Sequence, residues 1–200
     1  MMNIESMFHD YHHVYPHSIS LNKSRLKLIP LTNEILKTYL NDLWDYSSNP
    51  SFYEFLEFQP FDSINQCEEY FISTLDKIDK KQGMLWLIIL AESNKAIGTI
   101  RLAYWDLTKS ITKIGYGISP DYTRKGYYFE ALSCVVKYAF EKLQFYRIES
   151  WTNSENIGSI KGLEKLGFCY EGCLRKKNLK YDGTRHDVKI FSMIKDIDYK

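Results

Sequence analysis

The sequence predicts a mixed α/β (α+β) fold, built as one domain with about seven strands and about four helices. Three observations lead to this prediction. Apolar or alternating runs of strand length recur along the chain, and four other segments carry apolar residues at helical spacing. Residues 111–151 also place a strand, a helix and a strand in succession, a crossover that implies locally parallel pairing.

A strand and two helices come first. Residues 25–30 alternate polar and apolar side chains and end at a proline. Thr32 can cap a helix that ends at the Asn49-Pro50 break, and its apolar residues are Ile35, Leu36, Tyr39, Leu40 and Leu43. Ser63, with Gln66 three residues later, is a capping box for the second helix. The inward stripe of that helix is expected to comprise Ile64, Cys67, Phe71, Thr74, Leu75 and Ile78.

An antiparallel meander follows. Residues 84–91 form a continuous apolar run, which is typical of a buried central strand. Residues 97–105 and 111–118 follow after short polar turns, and strands with such short connections pair antiparallel.

The remaining elements alternate between helices and strands. Residues 126–143 carry apolar side chains on one helical face, and residues 147–151 form a short strand. The next helix ends at Gly167, which suits a left-handed position. Its apolar face is expected to be buried and comprises Ile157, Ile160, Leu163 and Leu166. Residues 168–180 and 185–195 are strands joined around an Asp-Gly turn.

Composition excludes several classes of function. Of the 200 residues, 44% are hydrophobic and 26% charged, and the formal net charge is +1. This profile is that of a globular chain, and it lacks the basic excess of a nucleic-acid-binding protein. No apolar run approaches the ~18 residues of a membrane span, and the first residues lack a secretory signal pattern. We therefore expect a cytoplasmic protein with neither nucleic acid nor membrane as a partner.

Residues 1–20 are interpreted as an N-terminal arm and residues 21–200 as the domain. The arm contains four of the five histidines, His9, His12, His13 and His17. A metal site is conceivable there, but a partly ordered arm lying on the domain is favoured. The cysteines, Cys67, Cys134, Cys169 and Cys173, form no CxxC pair, so no metal centre is predicted. They are expected to be reduced thiols that behave as small apolar residues.

The segment that carries chemistry spans residues 114–131 and reads Ile-Gly-Tyr-Gly-Ile-Ser-Pro-Asp-Tyr-Thr-Arg-Lys-Gly-Tyr-Tyr-Phe-Glu-Ala. A strand leads through a proline turn and a basic loop into a helix. The unpaired N–H groups of a helix N-terminus, beside Arg124 and Lys125, suit a phosphate or pyrophosphate. Gly126 lets the backbone approach such a ligand. The pattern is neither GxxxxGK[ST] nor GxGxxG. A plain strand-to-helix turn with solvated basic residues is the alternative.

This segment resembles motif A of the GCN5-related N-acetyltransferase (GNAT) superfamily, Gln/Arg-x-x-Gly-x-Gly/Ala. Downstream, Asn156-Ile-Gly-Ser159 and Gly162-Leu-Glu-Lys-Leu-Gly-Phe168 resemble motif B. The stretches Tyr170-Glu-Gly172, Arg175 and Tyr181-Asp-Gly-Thr-Arg-His-Asp187 resemble the C-terminal hairpin of the branch that acetylates N-terminal alanine or serine of ribosomal proteins. Residues 24–31 resemble the opening strand of that branch, so the resemblance spans about residues 21–196.

The resemblance implies a bent, mostly antiparallel seven-stranded sheet, splayed open between its fourth and fifth strands, with acetyl-CoA in the splay as co-substrate. It implies that the backbone of Tyr116, Gly117 and Ile118 pairs with the pantetheine arm, and that Asn156 contacts the pantetheine or an ordered water. The pyrophosphate is implied to bind the amides of Arg124, Lys125, Gly126, Tyr127, Tyr128 and Phe129.

The implied reaction is direct transfer of the acetyl group to a primary amine in a ternary complex, with the Ile118 amide stabilising the oxyanion. Ser159 lies one helical turn beyond Asn156, so both can face the cleft. We take these two as the candidate catalytic residues, with Ser159 as proton donor to the leaving thiolate. A surface serine or a capping group is the alternative for Ser159.

Several positions depart from the family pattern. Thr123 replaces Gln or Arg, Tyr128 replaces Gly or Ala, and Leu163 replaces the Tyr that is the general acid in many members. Lys113 stands where many relatives carry Glu, so the base is open between Glu54, Glu57 and a water chain. These departures keep a second hypothesis open, a non-catalytic acyl-CoA-binding module of the same fold.

The acceptor could be a protein N-terminus, a polyamine or an antibiotic amine. The loop before the second helix is rich in aromatic residues and is called the aromatic loop: Phe52, Tyr53, Phe55 and Phe58. In this fold it borders the acceptor side, where it either acts as a lid or simply packs against the domain. The tryptophans could line an acceptor groove, although core positions are favoured: Trp44, Trp86, Trp105 and Trp151. A homodimer is expected from the aromatic C-terminal hairpin.

Overall fold

The computed structural model describes Ile19 and residues 25–199. Its elements are β1 (Leu26–Pro30), α1 (Asn33–Ser47), α2 (Ile64–Asp79), β2 (Gly83–Leu90), β3 (Ala96–Asp106), β4 (Ile111–Ile118), α3 (Tyr127–Glu141), β5 (Arg147–Asn153), α4 (Ile157–Leu166), β6 (Cys169–Leu179) and β7 (Arg185–Ile194). Short 3₁₀ turns span Pro50–Tyr53 and Pro120–Tyr122. The predicted fold class is confirmed. The histidines of the predicted N-terminal arm lie outside the described residues.

The strands form one mixed sheet in the order β1-β2-β3-β4-β5-β7-β6. Neighbouring strands pair antiparallel, except that β4 and β5 are parallel. The β4–α3–β5 segment is thus the crossover that the sequence predicts. It divides the sheet into an N-terminal meander and a C-terminal three-stranded part.

Local sequence signals start and end the helices as expected. The Thr32 hydroxyl accepts the N–H of Ile35 at 3.2 Å, and the Ser63 hydroxyl accepts that of Gln66 at 3.2 Å. The Gln66 side chain reaches back to the N–H of Asp62, at 2.7 Å, so this capping box closes one residue earlier than its usual form. Gly167 ends α4 with φ of 99°, in the left-handed region.

The sheet is covered on both faces. Helices α3 and α4 pack with one apolar cluster, and helices α1 and α2 pack with the other. Every residue of β2 is buried because that strand lies beneath both layers. Within the described part of the chain, no helix combines the length and the apolar character needed to cross a membrane.

Burial predictions are wrong in α4 and in β6. Ile157, the first residue of α4, is 54% exposed, so the buried face begins at Ile160 and Leu163. Cys169 and Cys173 are exposed thiols rather than packed apolar residues, because β6 is the edge strand of the sheet and most of its residues face solvent.

Candidate functional site

A gap opens in the sheet between β4 and β5. Their parallel pairing joins residues 111–113 to residues 147–149. Beyond that point β5 continues its pairing with β7 as far as Asn153, and within residues 25–199 no strand pairs with this edge of residues 114–118. The fourth and fifth strands therefore diverge as the resemblance implies.

The edge of β4 presents backbone groups to this gap. The Ser119 N–H donates to the Ile97 carbonyl of β3 at 2.7 Å, and Ile118 is paired with Gly98. Because hydrogen-bonded and non-hydrogen-bonded pairs alternate in an antiparallel ladder, the N–H and C=O of Gly117 face β3. Those of Tyr116 and Ile118 face the gap. Of the three predicted strand residues, these two can pair with an added chain.

The chain then enters α3 through a loop with two left-handed residues. Arg124 and Gly126 both have left-handed backbones, with φ of 58° and 82°. Gly126 is the N-cap of α3 and has no side chain to bond the first N–H groups of the helix. These amides, together with the positive end of the helix dipole, are the set of donors, called the nest below, that the sequence predicts to hold an anion. Arg124 and Lys125 are exposed beside it.

Arg25 lies beside this candidate site, and the sequence did not predict its position. Its guanidinium donates to the Glu130 carboxylate through Nε at 3.1 Å and Nη2 at 3.0 Å, and to the Lys125 carbonyl through Nη1 at 3.1 Å. It also lies 4.5 Å from the centre of the Tyr127 ring. Arg25 therefore neutralises the acid in the first turn of α3. No local signal connects positions 105 residues apart.

Tyr128 departs from the family pattern without entering the nest. Its hydroxyl donates to the Gly158 carbonyl of α4 at 2.7 Å, and its ring stacks on Tyr116 with centroids 5.4 Å apart. A Cβ at Gly162 would overlap the Tyr128 hydroxyl. A glycine in α4 thus makes room for the tyrosine of α3. The next residue, Phe129, has the Lys165 ammonium of α4 at 4.8 Å from its ring centroid.

Asn156 and Ser159 meet β4 at the start of α4. The Asn156 side chain is the N-cap and accepts the N–H of Ser159 at 3.0 Å. The buried Ser159 hydroxyl lies 2.7 Å from the Tyr116 hydroxyl. Burial raises the pKa of Tyr116 above its ordinary value, so its hydroxyl keeps its proton at neutral pH. Ser159 is neither a surface residue nor the helix cap, and it lies on the β4 side of α4.

Lys113 contacts aromatic rings and does not replace the glutamate base that many relatives carry at this position. Its ammonium lies 3.4 Å from the Trp151 ring centroid and 5.3 Å from that of Tyr104. An ammonium over an aromatic face is a cation–π contact. A cation in this position has no lone pair with which to accept a proton.

An aromatic pocket lies on the other face of β4. It has a volume of about 130 Å³ and is lined from the predicted aromatic loop by Phe52, Tyr53 and Phe58. Phe55 is not among the lining residues. Neither are the tryptophans. Trp86 is in the core as expected, but the core position expected for Trp151 is wrong, because this side chain is 40% exposed. Within residues 25–199, no group of three His, Cys, Asp or Glu side chains could hold a metal ion.

A seven-stranded mixed sheet that opens between β4 and β5, with a helix entered directly after the open strand edge, is the architecture that the GNAT resemblance implies. The chain belongs to this family, because the family profile described as "Acetyltransferase (GNAT) domain" matches residues 25–169.

Similar proteins bear the same family name. The uncharacterized N-acetyltransferase p20 of Bacillus licheniformis is 31% identical over 153 residues, which cover 76% of this chain and 85% of p20. Among the solved structures that share the fold are the following two. RimL, a ribosomal L7/L12 alpha-N-protein acetyltransferase in complex with coenzyme A, has a TM-score of 0.79 at 17% identity and covers 91% of this chain and 100% of its own. A spermidine N-acetyltransferase SpeG chimera from Vibrio cholerae and hSSAT has a TM-score of 0.72 at 21% identity and covers 86% and 96%.

Proposed function

We propose that this GNAT protein transfers the acetyl group of acetyl-CoA to a primary amine while both substrates are bound. One observation carries the proposal: the open edge of β4 leads directly to the N-terminus of α3, which has no side-chain cap. A ligand with an amide-bearing arm and a diphosphate needs both features, in that order along the chain.

The donor would be held mainly by backbone groups. Acetyl-CoA supplies an activated acetyl thioester when bound. Tyr116 and Ile118 offer N–H and C=O groups to the pantetheine arm, and the amides of residues 124–129 offer N–H groups to the diphosphate. The charges of Arg124 and Lys125 add to the field there. The Ile118 amide can also stabilise a developing oxyanion.

We assign the proton for the leaving sulfur to the hydroxyl pair of Ser159 and Tyr116. Each hydroxyl can donate to the other at 2.7 Å, so a proton given up at Ser159 Oγ is replaced from Tyr116 as Tyr116 takes up a proton from water. The attacking amine releases one proton to water, so the overall transfer balances. This pair would do the work of the tyrosine that Leu163 replaces. Asn156 acts through the Ser159 N–H and is a positioning residue.

The amine must lose a proton as it attacks. The described residues that line the aromatic pocket include no carboxylate, and the Glu54 and Glu57 side chains lie on an exposed part of the loop. We therefore propose that a chain of water molecules carries this proton to solvent. Orientation of both substrates supplies much of the acceleration, up to ~7–11 kcal/mol in well-aligned systems.

The test uses Gly126→Glu, which places a side chain and a negative charge in the nest. CoA binding is measured by titration calorimetry, and thiol release from acetyl-CoA is measured with and without an amine panel. We expect binding and amine-dependent thiol release in the wild type and loss of both in the variant. Gly183→Glu is the matched control, since Gly183 has the same φ of 82° in the β6–β7 turn and open space around it.

The outcomes separate the two hypotheses. Unchanged CoA affinity in a folded Gly126→Glu protein would contradict the assigned donor site. Tight CoA binding in the wild type, with no thiol release for any amine, would favour a non-catalytic acyl-CoA-binding module.

A further inference from the structure

The aromatic pocket has the size and chemistry of a site for an apolar group. It lies between α1, α2, the aromatic loop and the outer face of β3 and β4, and eight of its fifteen described lining residues are aromatic. Its volume of about 130 Å³ is close to that of the engineered cavity, ~150 Å³, that binds benzene in another protein. A ring or a branched aliphatic group fits such a space.

A single charge stands in this apolar wall. Arg101 of β3 is the charged member of the described lining residues. Its half-buried guanidinium donates to the Tyr70 hydroxyl at 3.1 Å, and within residues 25–199 no carboxylate lies within ion-pair distance of it. A guanidinium has five donors in a planar fork that matches a carboxylate. Most of that capacity remains for a ligand.

The Arg101 side chain lies against one face of β4, the strand that is proposed to hold the donor. Gly115 is its cross-strand partner, and a Cβ on Gly115 would lie 3.3 Å from Arg101 Nε. A Cβ on Gly117, two residues further along β4, would lie 2.7 Å from the Phe52 ring. Because both positions are glycine, no β4 side chain separates the pocket from the strand edge. An acceptor in the pocket can therefore place its amine beside that edge.

We propose that Arg101 binds a carboxylate of the acceptor, and that the acceptor is a free α-amino acid with an apolar or aromatic side chain. This inference rests on the proposed transferase function and specifies its substrate class. The side chain occupies the aromatic pocket, the carboxylate pairs with Arg101, and the α-amine points toward β4. A polyamine lacks the anion and would bring positive charge to a pocket with no acid among its described lining residues. A protein N-terminus has an amide where the carboxylate is needed.

The experiment compares each amino acid with the amine that lacks its carboxylate, and rates are expressed per unprotonated amine because the carboxylate also changes the pKa of the ammonium group. Thiol release is measured with L-phenylalanine against phenethylamine, and with L-leucine against isoamylamine, and with spermidine and an Ala-initiated peptide as further arms. A hydrogen-bonded charge pair is expected to favour each amino acid over its decarboxylated partner in kcat/KM by about 10–100-fold. In Arg101→Gln this ratio should fall to about one, because kcat/KM decreases for the amino acids and stays the same for the decarboxylated amines.

Two further variants keep the result interpretable. Arg101→Lys retains the charge without the planar fork and should retain part of the preference, and it replaces Arg101→Gln if that variant does not fold. Arg175→Gln removes an exposed arginine of β6 that does not line the pocket and should leave the preference unchanged.

Binding provides a readout that does not depend on turnover. With CoA present, calorimetry should show saturable L-phenylalanine binding to the wild type and none to Arg101→Gln. Failure of the proposed function would appear as absent CoA binding and no turnover with any amine. Failure of this inference would appear as turnover in which spermidine, the peptide or the decarboxylated amines match the amino acids, or as L-phenylalanine binding that Arg101→Gln does not change.

Discussion

The hydroxyl oxygens of Tyr116 and Ser159 lie 2.7 Å apart and connect β4 to the first turn of α4. Each residue belongs to one side of the gap in the sheet, so the hydrogen bond joins the two walls of the proposed donor cleft. It is also buried, which makes it sensitive to the loss of either partner.

We expect Ser159→Ala to lower kcat by about 10²-fold with little change in KM for acetyl-CoA, because the hydroxyl matters as charge develops on sulfur. Tyr116→Phe should act in the same direction, and the double variant should lose less than the product of the single effects. Steady-state kinetics and thermal melting are measured on the same samples. A lowered melting temperature with unchanged kcat would show a purely structural hydrogen bond.

The contact between Tyr128 and Gly162 predicts that Gly162→Ala changes stability in opposite directions with and without the Tyr128 side chain. Gly162→Ala should destabilise the wild type by about 1–3 kcal/mol, because the new methyl group overlaps the Tyr128 hydroxyl. In a Tyr128→Ala background the same change should stabilise by up to about 1 kcal/mol, since alanine is the better helix former. Urea unfolding of the four proteins of this cycle measures both values. Equal effects in the two backgrounds would disprove the coupling.

Arg25 should influence CoA affinity through the acid that it neutralises. Arg25→Gln removes the guanidinium charge that balances the Glu130 carboxylate beside the nest and should weaken CoA binding by about tenfold at low salt, less at high salt. Glu130→Gln in the same background should restore most of the affinity. Titration at two ionic strengths tests this, and a double variant no better than Arg25→Gln would refute the charge argument.

The C-terminal part of the sheet contains a pH-dependent link. Arg147 of β5 donates to Glu171 of β6 at 2.8 Å, and the Ser192 hydroxyl of β7 donates to the same carboxylate at 2.6 Å. The Arg147 hydrogen bonds, followed by that from Ser192, lower the pKa of Glu171 from its ordinary 4.5. Because the folded pKa is lowered, the stabilisation is complete above pH 4.5 and is lost as the pH falls through the folded value.

We therefore expect Glu171→Gln to be less stable than the wild type at pH 7, by about 1 kcal/mol or less for a partly exposed pair. The two proteins should converge as the pH is lowered below 4.5, the ordinary value for this carboxyl. Urea unfolding from neutral to acidic pH measures the difference. A constant gap across this range would exclude the ionised pair as its source.

The homodimer that we expect from the C-terminal hairpin involves the sheet edge. Strand β6 is the last strand of the sheet, and Tyr170 on it is 54% exposed. Light scattering should give a mass of about twice 23.7 kDa. A mass near that of one chain over a wide concentration range would exclude the dimer.

The sequence predicts the elements well where local chemistry dictates them. Thr32, Ser63 and Gly167 act at the helix ends they were expected to define, because caps depend on neighbours within four residues. The left-handed start of α3 is also visible in the sequence, since Gly126 and the helix that follows it lie in one short segment. Ile157 was misplaced because helical spacing identifies an apolar face but not where the rest of the protein begins to cover it.

The parts that the sequence could not predict are contacts between distant segments. Arg25 reaches Glu130, Tyr128 fits Gly162, and Arg101 emerges beneath Gly115, and none of these pairs lies within one element. The resemblance identified Tyr128 as an anomaly but could not show that α4 accommodates it. Such compensation becomes visible once both helices are placed on the sheet.

The two roles proposed for strand β4, holding the donor and forming part of the acceptor pocket, use different parts of the strand. Its edge toward the gap offers main-chain groups, which are the same for almost any side chain, while its outer face at Gly115 and Gly117 forms part of the pocket wall. Substitutions that reshape the pocket therefore leave the pattern of edge donors and acceptors intact. If the proposed sites are correct, the choice of acceptor can change during evolution while the main-chain groups that bind the common donor stay the same.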